Sequence, residues 1–185
     1  MKELAVMVLL LALTPTLPAQ NNRQPDTQAD DFLFQLPLGW RLVDQDRKIL
    51  LVPPNAGPTP TTYIQLKGFE LGSYDLKAGF DAGWQGFTTG HKVVSTGPVV
   101  SLHSPYGFDY LYTQGVATEN GKRWAIAFMG AQYGKRLETV MFKSSETDPQ
   151  AREVYLQELR SFLNSVRFGP PQASTASPPG DRTRP

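Results

Sequence analysis

Apolar and polar positions change period several times along the chain. Phe32–Leu36 is a short apolar run that Pro37 ends, which predicts a first strand. Arg41–Val43 and Lys48–Val52 predict a hairpin around Asp44-Gln45-Asp46, and Thr62–Phe69 alternates as a strand does. Leu76, Phe80, Trp84 and Phe87 then fall at helical spacing, so a helix is predicted over 75–89 with Ser73 or Asp75 at its cap. Gly79, Gly83 and Gly86 lower its propensity by about 1 kcal/mol each relative to alanine.

Strand-like runs follow at Lys92–Ser95, Val99–His103, Tyr106–Thr118, Arg123–Gln132 and Gly134–Lys143. Asn120-Gly121 between two of them is a strong hairpin signal, because a type I′ turn needs positive φ at both central residues. A second helix is predicted over 148–166. Asp148 caps it, Pro149 suits its first position, and Tyr155, Leu159, Phe162 and Val166 form its apolar stripe. Arg167-Phe168 is a short closing segment.

The hairpin register decides the layering. With Asn120 and Gly121 as turn residues, Ala117 lies opposite Trp124. One face then holds Leu111, Thr113, Gly115 and Ala117 with Trp124, Ile126 and Phe128. The other holds Phe108, Tyr110, Tyr112 and Val116 with Ala125, Ala127, Met129 and Ala131. Neither face is polar, so each needs a cover. The two helices supply it, which predicts an α+β fold: a three-layer α/β/α sandwich with a mostly antiparallel central sheet.

The ends of the chain differ from its middle. Met1-Lys2-Glu3 precedes an apolar run from Leu4 to Leu13, broken by Thr14, Pro15 and Pro18. This is the order of a secretory signal peptide over 1–19, with cleavage near Ala19. The run is about half the length a spanning helix needs. A membrane contact therefore follows only if the segment stays uncleaved. Residues 20–30 are polar and predict a linker. Residues 31–168 form the domain, and the proline-rich stretch 169–185 predicts a disordered tail.

The chain of 185 residues carries 18 basic and 17 acidic side chains, for a formal net charge of +1. Such balance makes no broad field for nucleic acid. It has no cysteine, which excludes disulfides, thiol nucleophiles, thiolate metal sites and a lipidated N-terminal cysteine. The signal-like N-terminus predicts export, to a bacterial periplasm or the extracellular space.

The opening Phe34…Pro37…Gly39-Trp40, the antiparallel middle and the closing Phe162-Leu-Asn-Ser-Val-Arg-Phe168 together resemble the PsbP/Mog1-like fold family over 31–168. The resemblance implies a non-enzymatic domain that binds other proteins. It carries over no functional residue, because the matching positions are packing residues. The missing cysteine departs from the family's lipoprotein members.

Candidate chemistry is sparse. No Gly-x-Ser-x-Gly elbow, phosphate-binding loop, dinucleotide fingerprint or His-Glu-x-x-His occurs. His91 and His103 are the only histidines. With Asp109 they are candidates for a metal or base–orienter site, although twelve residues apart and without ligand spacing, and two ordinary surface or edge histidines are the simpler reading. Asp30, Asp31, Asp44 and Asp46 lack calcium-loop spacing and read as solvated turn carboxylates. Trp40 reads as a core-closing residue rather than a ligand-stacking one. Tyr106, Phe108, Tyr110 and Tyr112 read as core beneath a helix rather than an open aromatic platform. The loop 53–60 reads as a connector or, more interestingly, as a stiff edge offered to a partner.

No catalytic, cofactor-binding or metal residue and no cofactor is assigned. The expected role is an exported, non-enzymatic accessory domain acting through protein–protein binding. The alternatives are a carrier of a small apolar or aromatic ligand, in a cleft beside Tyr106–Tyr112, and a hydrolase or metal enzyme using the histidines.

Overall fold

A computed structural model describes residues 26–45, 48–72 and 75–169. The signal segment, residues 20–25 of the linker, the tail from 170 onward, Asp46 and Ser73 lie outside the described residues.

Eleven strands and two helices follow one another among the described residues. β1 (Thr27–Ala29) and β2 (Phe32–Phe34) form a first hairpin. β3 (Arg41–Gln45), β4 (Lys48–Val52) and β5 (Thr62–Glu70) lead into α1 (Leu76–Thr88). β6 (Lys92–Thr96), β7 (Val100–His103), β8 (Asp109–Glu119), β9 (Lys122–Tyr133) and β10 (Arg136–Ser144) precede α2 (Pro149–Ser165) and β11 (Arg167–Phe168). The large sheet runs β3-β4-β5-β10-β9-β8-β6, with β7 also on β8; the small sheet runs β1-β2-β11. Every pairing is antiparallel.

The predicted hairpin register holds. Ala117 pairs with Trp124 and Thr118 with Arg123, across a turn in which Asn120 has φ +50° and Gly121 φ +75°. Both values lie in the left-handed region a type I′ turn requires.

Three expectations need correction. Thr27–Ala29, placed in the polar linker, form an edge strand against Phe32–Phe34; their backbone pairing does not depend on apolar side chains. The first strand stops at Phe34 rather than Leu36. β8 begins at Asp109 rather than Tyr106. A tight turn with Gly107 at φ +86° occupies the interval, closed by the Ser104 amide donating to the Phe108 carbonyl at 2.8 Å.

Helix α1 packs Phe80, Trp84 and Phe87 onto the sheet face that carries Phe128 and Met141. It lies close because two of its residues lack side chains. A Cβ on Gly83 would come within 2.8 Å of Phe128 Cζ, and one on Gly79 would collide with Leu71. Helix α2 packs Leu159 and Phe162, with Val166 just beyond it, into the core that holds Tyr110, Met129, Val140 and Phe142. Its start follows the predicted cap: the Asp148 carboxylate accepts from the Gln150 amide at 2.9 Å. Phe32, Phe34, Phe80, Phe128, Phe142 and Phe162 are fully buried, each stabilising the fold by about 1.5–3 kcal/mol.

Candidate functional site

The two helices cover the sheet unequally. Beside α1, the strands β4 and β5 lie open, and a trough of about 500 Å³ runs between the helix and β5. Its floor follows from strand alternation. Ile64 and Leu66 point into the α2-side core, while Tyr63, Gln65, Lys67 and Phe69 line the trough. Leu137, Met141 and Lys143 of β10 continue the floor, and Gly79, Gly83 and Gly86 form the helix wall. On the other side Pro58, Thr59 and Pro60 bound a second hollow of about 200 Å³, which shares Lys48, Tyr63 and Gln65 with the first. The proline-rich loop singled out in the sequence thus forms part of the rim.

One end of the trough is a fixed polar cluster. Lys143 Nζ donates to Glu119 Oε2 at 2.7 Å and lies 2.7 Å from His91 Nε2. It also sits 4.2 Å from the centre of the Trp124 ring. For the ammonium to donate, His91 Nε2 must be the acceptor. The ring proton then belongs on Nδ1, which faces the Thr89 carbonyl oxygen at 3.3 Å. The hydrogen bond from Lys143 holds the Glu119 carboxyl below the usual carboxylate range. Burial pushes the nearby Tyr63 phenol above its ordinary value, and the Glu119 charge adds to the effect. Lys143 is nearly buried, with a carboxylate to neutralise it. This arrangement anchors a charge; an ammonium bound to a carboxylate has no lone pair for nucleophilic attack.

The candidate residues fall in separate places. His91 is mostly buried in this cluster, so it is not the surface histidine the sequence suggests. Nothing in the sequence around it signals this, because Glu119 and Lys143 reach it through strand pairing. His103 Nδ1 lies 2.7 Å from Asp109 Oδ1 in an exposed pair. Lys92 pairs near one end of β8 and His103 at the other, with Thr118 and Asp109 respectively. Nine residues of strand put the two histidines ~30 Å apart, so the proposed three-residue site does not form.

Trp40 is buried; its Nε1 donates to Glu158 Oε2 at 3.0 Å and its ring meets Tyr155 edge-on. Tyr110 and Tyr112 are buried in the α2-side core, which fills the cleft a small ligand would need there. Burial pushes the Tyr112 phenol up to about 12, and its hydroxyl donates to Gln114 Oε1 at 3.1 Å. Tyr106 stays exposed, with the Arg167 guanidinium over its ring.

Asp30 and Asp31 face a cation rather than water alone. Arg136 lies 3.2 Å from Asp30, 3.4 Å from Asp31 and 2.7 Å from Glu138. Gly68 leaves room for this group, since a Cβ there would meet both Arg136 and Glu138. Glu138 is fully buried, and its Oε2 has no hydrogen-bond partner among the described residues. Burial raises its pKa, against the opposing pull of Arg136.

Among the described residues no helix is long and apolar enough to cross a membrane. No protein-family model matches the chain, and no curated protein matches its sequence. Solved structures do share its shape. The architecture is α+β, a largely antiparallel sheet with two helices. LpqN of Mycobacterium tuberculosis, described as involved in cell envelope biogenesis, superposes with a TM-score of 0.56 at 14% identity, over 77% of this chain and 87% of that one. Cyanobacterial PsbP (CyanoP) of Synechocystis sp. does so with a TM-score of 0.53 at 10% identity, over 76% and 88%. A Bacteroides thetaiotaomicron structure matches over 76% of this chain at 12% identity and a TM-score of 0.48; this chain spans 46% of that protein's length. The chain has the PsbP/Mog1-like fold, as its opening and closing segments suggest.

Proposed function

We propose that this protein is an exported, non-enzymatic accessory domain that acts by holding a protein partner in the trough between α1 and β5. The domain is read as a three-layer α/β/α sandwich with one layer incomplete. The observation that carries the proposal is this incomplete cover: α1 shields β8–β10 and leaves a lysine-bearing, aromatic floor on β4 and β5. A concave, preformed surface of this size is where binding is expected. The signal-like N-terminus supports export. The fold shared with CyanoP, and with LpqN and its part in envelope biogenesis, supports an accessory role by analogy alone.

A photo-crosslinking residue at Gly86, on the trough wall, tests the reading in the native cell. Val154 is exposed on α2 and serves as the control position. The expected result is a discrete protein adduct at Gly86 that Val154 does not form. Equal or absent adducts at both positions would remove the trough as the binding surface.

A further inference from the structure

We infer that the trough takes an extended, acidic segment of the partner protein, with a carboxylate over Lys48 and Lys67. The inference rests on the binding function proposed above. Its first support is the register of β4 on β5. Ile49 pairs with Leu66 and Leu50 with Gln65; the same register carried one residue past the last pair brings Lys48 beside Lys67, and both line the trough. Two like charges in that relation destabilise a sheet unless an anion joins them. Neither lysine has a carboxylate within ion-pair distance among the described residues. Lys143 is different, because Glu119 already neutralises it.

The floor also favours a peptide over a hydrocarbon chain. Along β5 it offers an aromatic ring, an amide, a cation and a second ring in turn, from Tyr63 to Phe69. Gln65 presents a donor and an acceptor side by side, as a peptide group requires. An acyl chain would have to lie across these polar groups and desolvate them. Six steps of strand span about 20 Å, the reach of a seven-residue extended segment. Its alternate side chains would meet the apolar end at Phe69 and Leu137, then the lysine pair. Glu70, at that apolar end, repels a carboxylate there and so helps set the direction. The rim of Pro58, Thr59 and Pro60 is stiff before binding, which lowers the entropy lost.

Residues 20–25 carry Arg23 as their charged side chain, and residues 170–185 carry Asp181 beside Arg182 and Arg184, so neither stretch is acidic.

The test is fluorescence polarisation with a labelled seven-residue peptide that has leucine first, glutamate third and fifth, and serine elsewhere. A matched peptide with glutamine for glutamate is the control, and sodium dodecanoate is the competing amphiphile. The acidic peptide should bind about tenfold more tightly than its control, the ratio two exposed ion pairs can supply, and added salt should erase the difference. The double variant Lys48→Gln, Lys67→Gln should lose the preference.

Equal binding of the two peptides, or a preference that survives loss of both lysines, would overturn the inference. Binding of dodecanoate without the peptide would do so in favour of an amphiphile. A protein adduct at Gly86 combined with no peptide binding would sink the acidic segment and leave the proposed function standing. Absence of the adduct would remove the trough as the binding surface, and the inference with it.

Discussion

The Trp40 indole nitrogen donates to the Glu158 carboxylate across 118 residues of sequence, tying the Pro37–Trp40 turn to the last helix. Trp40→Phe keeps most of the ring and loses this bond. It should cost about 1–2 kcal/mol, the range for a hydrogen bond to a charged group that is partly solvated. Trp40→Ala should cost about 3–5 kcal/mol, because it also opens a cavity. Urea denaturation of the two variants separates the bond from the packing.

The glycines of α1 should respond in opposite ways. Gly86→Ala removes a poor helix former where there is space and should stabilise by about 0.5–1 kcal/mol. Gly83→Ala gains the same propensity but drives its methyl to within 2.8 Å of Phe128. It should be destabilising by about 1–3 kcal/mol, the usual range for overpacking. Thermal melts of the pair decide it; stabilisation by both would mean that α1 stands further from the sheet.

Glu138 and Glu119 should bend the pH dependence of stability in opposite directions. The folded pKa of Glu138 is raised by burial, so the folded state holds its proton more tightly than the unfolded state. Stability from this group therefore falls as pH rises above the ordinary glutamate value of about 4.3. Glu138→Gln, at equal volume, should flatten that fall, and Arg136 would keep Asp30 and Asp31 as partners. The folded pKa of Glu119 is lowered by Lys143. Its contribution is present above the ordinary value and is lost as pH falls through the folded one. Glu119→Gln should cost stability at neutral pH and little in strong acid. Denaturation midpoints measured from pH 3 to 8 test both signs.

Tyr112 should be the last tyrosine to ionise, near pH 12. Its raised value means that stability falls as pH climbs above the ordinary tyrosine value of about 10. An ultraviolet titration of wild type and Tyr112→Phe identifies the late step; titration of all the tyrosines near 10 would contradict the burial of this phenol.

The sequence was most legible where a local rule dominates. Asn120-Gly121 sets the β8–β9 register, and Asp148-Pro149 sets the start of α2, each by backbone chemistry that needs no distant partner. The two apolar faces of that hairpin also called for two helices. The trough was not legible, because Lys48, Lys67 and Lys143 meet only through the β4–β5 and β5–β10 pairings. A partial signal was present in Thr62–Phe69, where Ile64 and Leu66 are apolar but Gln65 and Lys67 on the other face are not. That half-polar strand already indicated a face without full cover. Thr27–Ala29 escaped notice because a polar strand held by backbone bonds has no hydrophobic period to detect.

The small sheet β1-β2-β11 joins the two ends of the domain, with Phe168 opposite Phe32. Phe32 thus takes its neighbour on that side from the last residues of the fold. Contacts this distant in sequence make folding slow. Removal of Arg167 and Phe168 should therefore uncover one side of Phe32 and make the domain more sensitive to protease, which limited proteolysis would read.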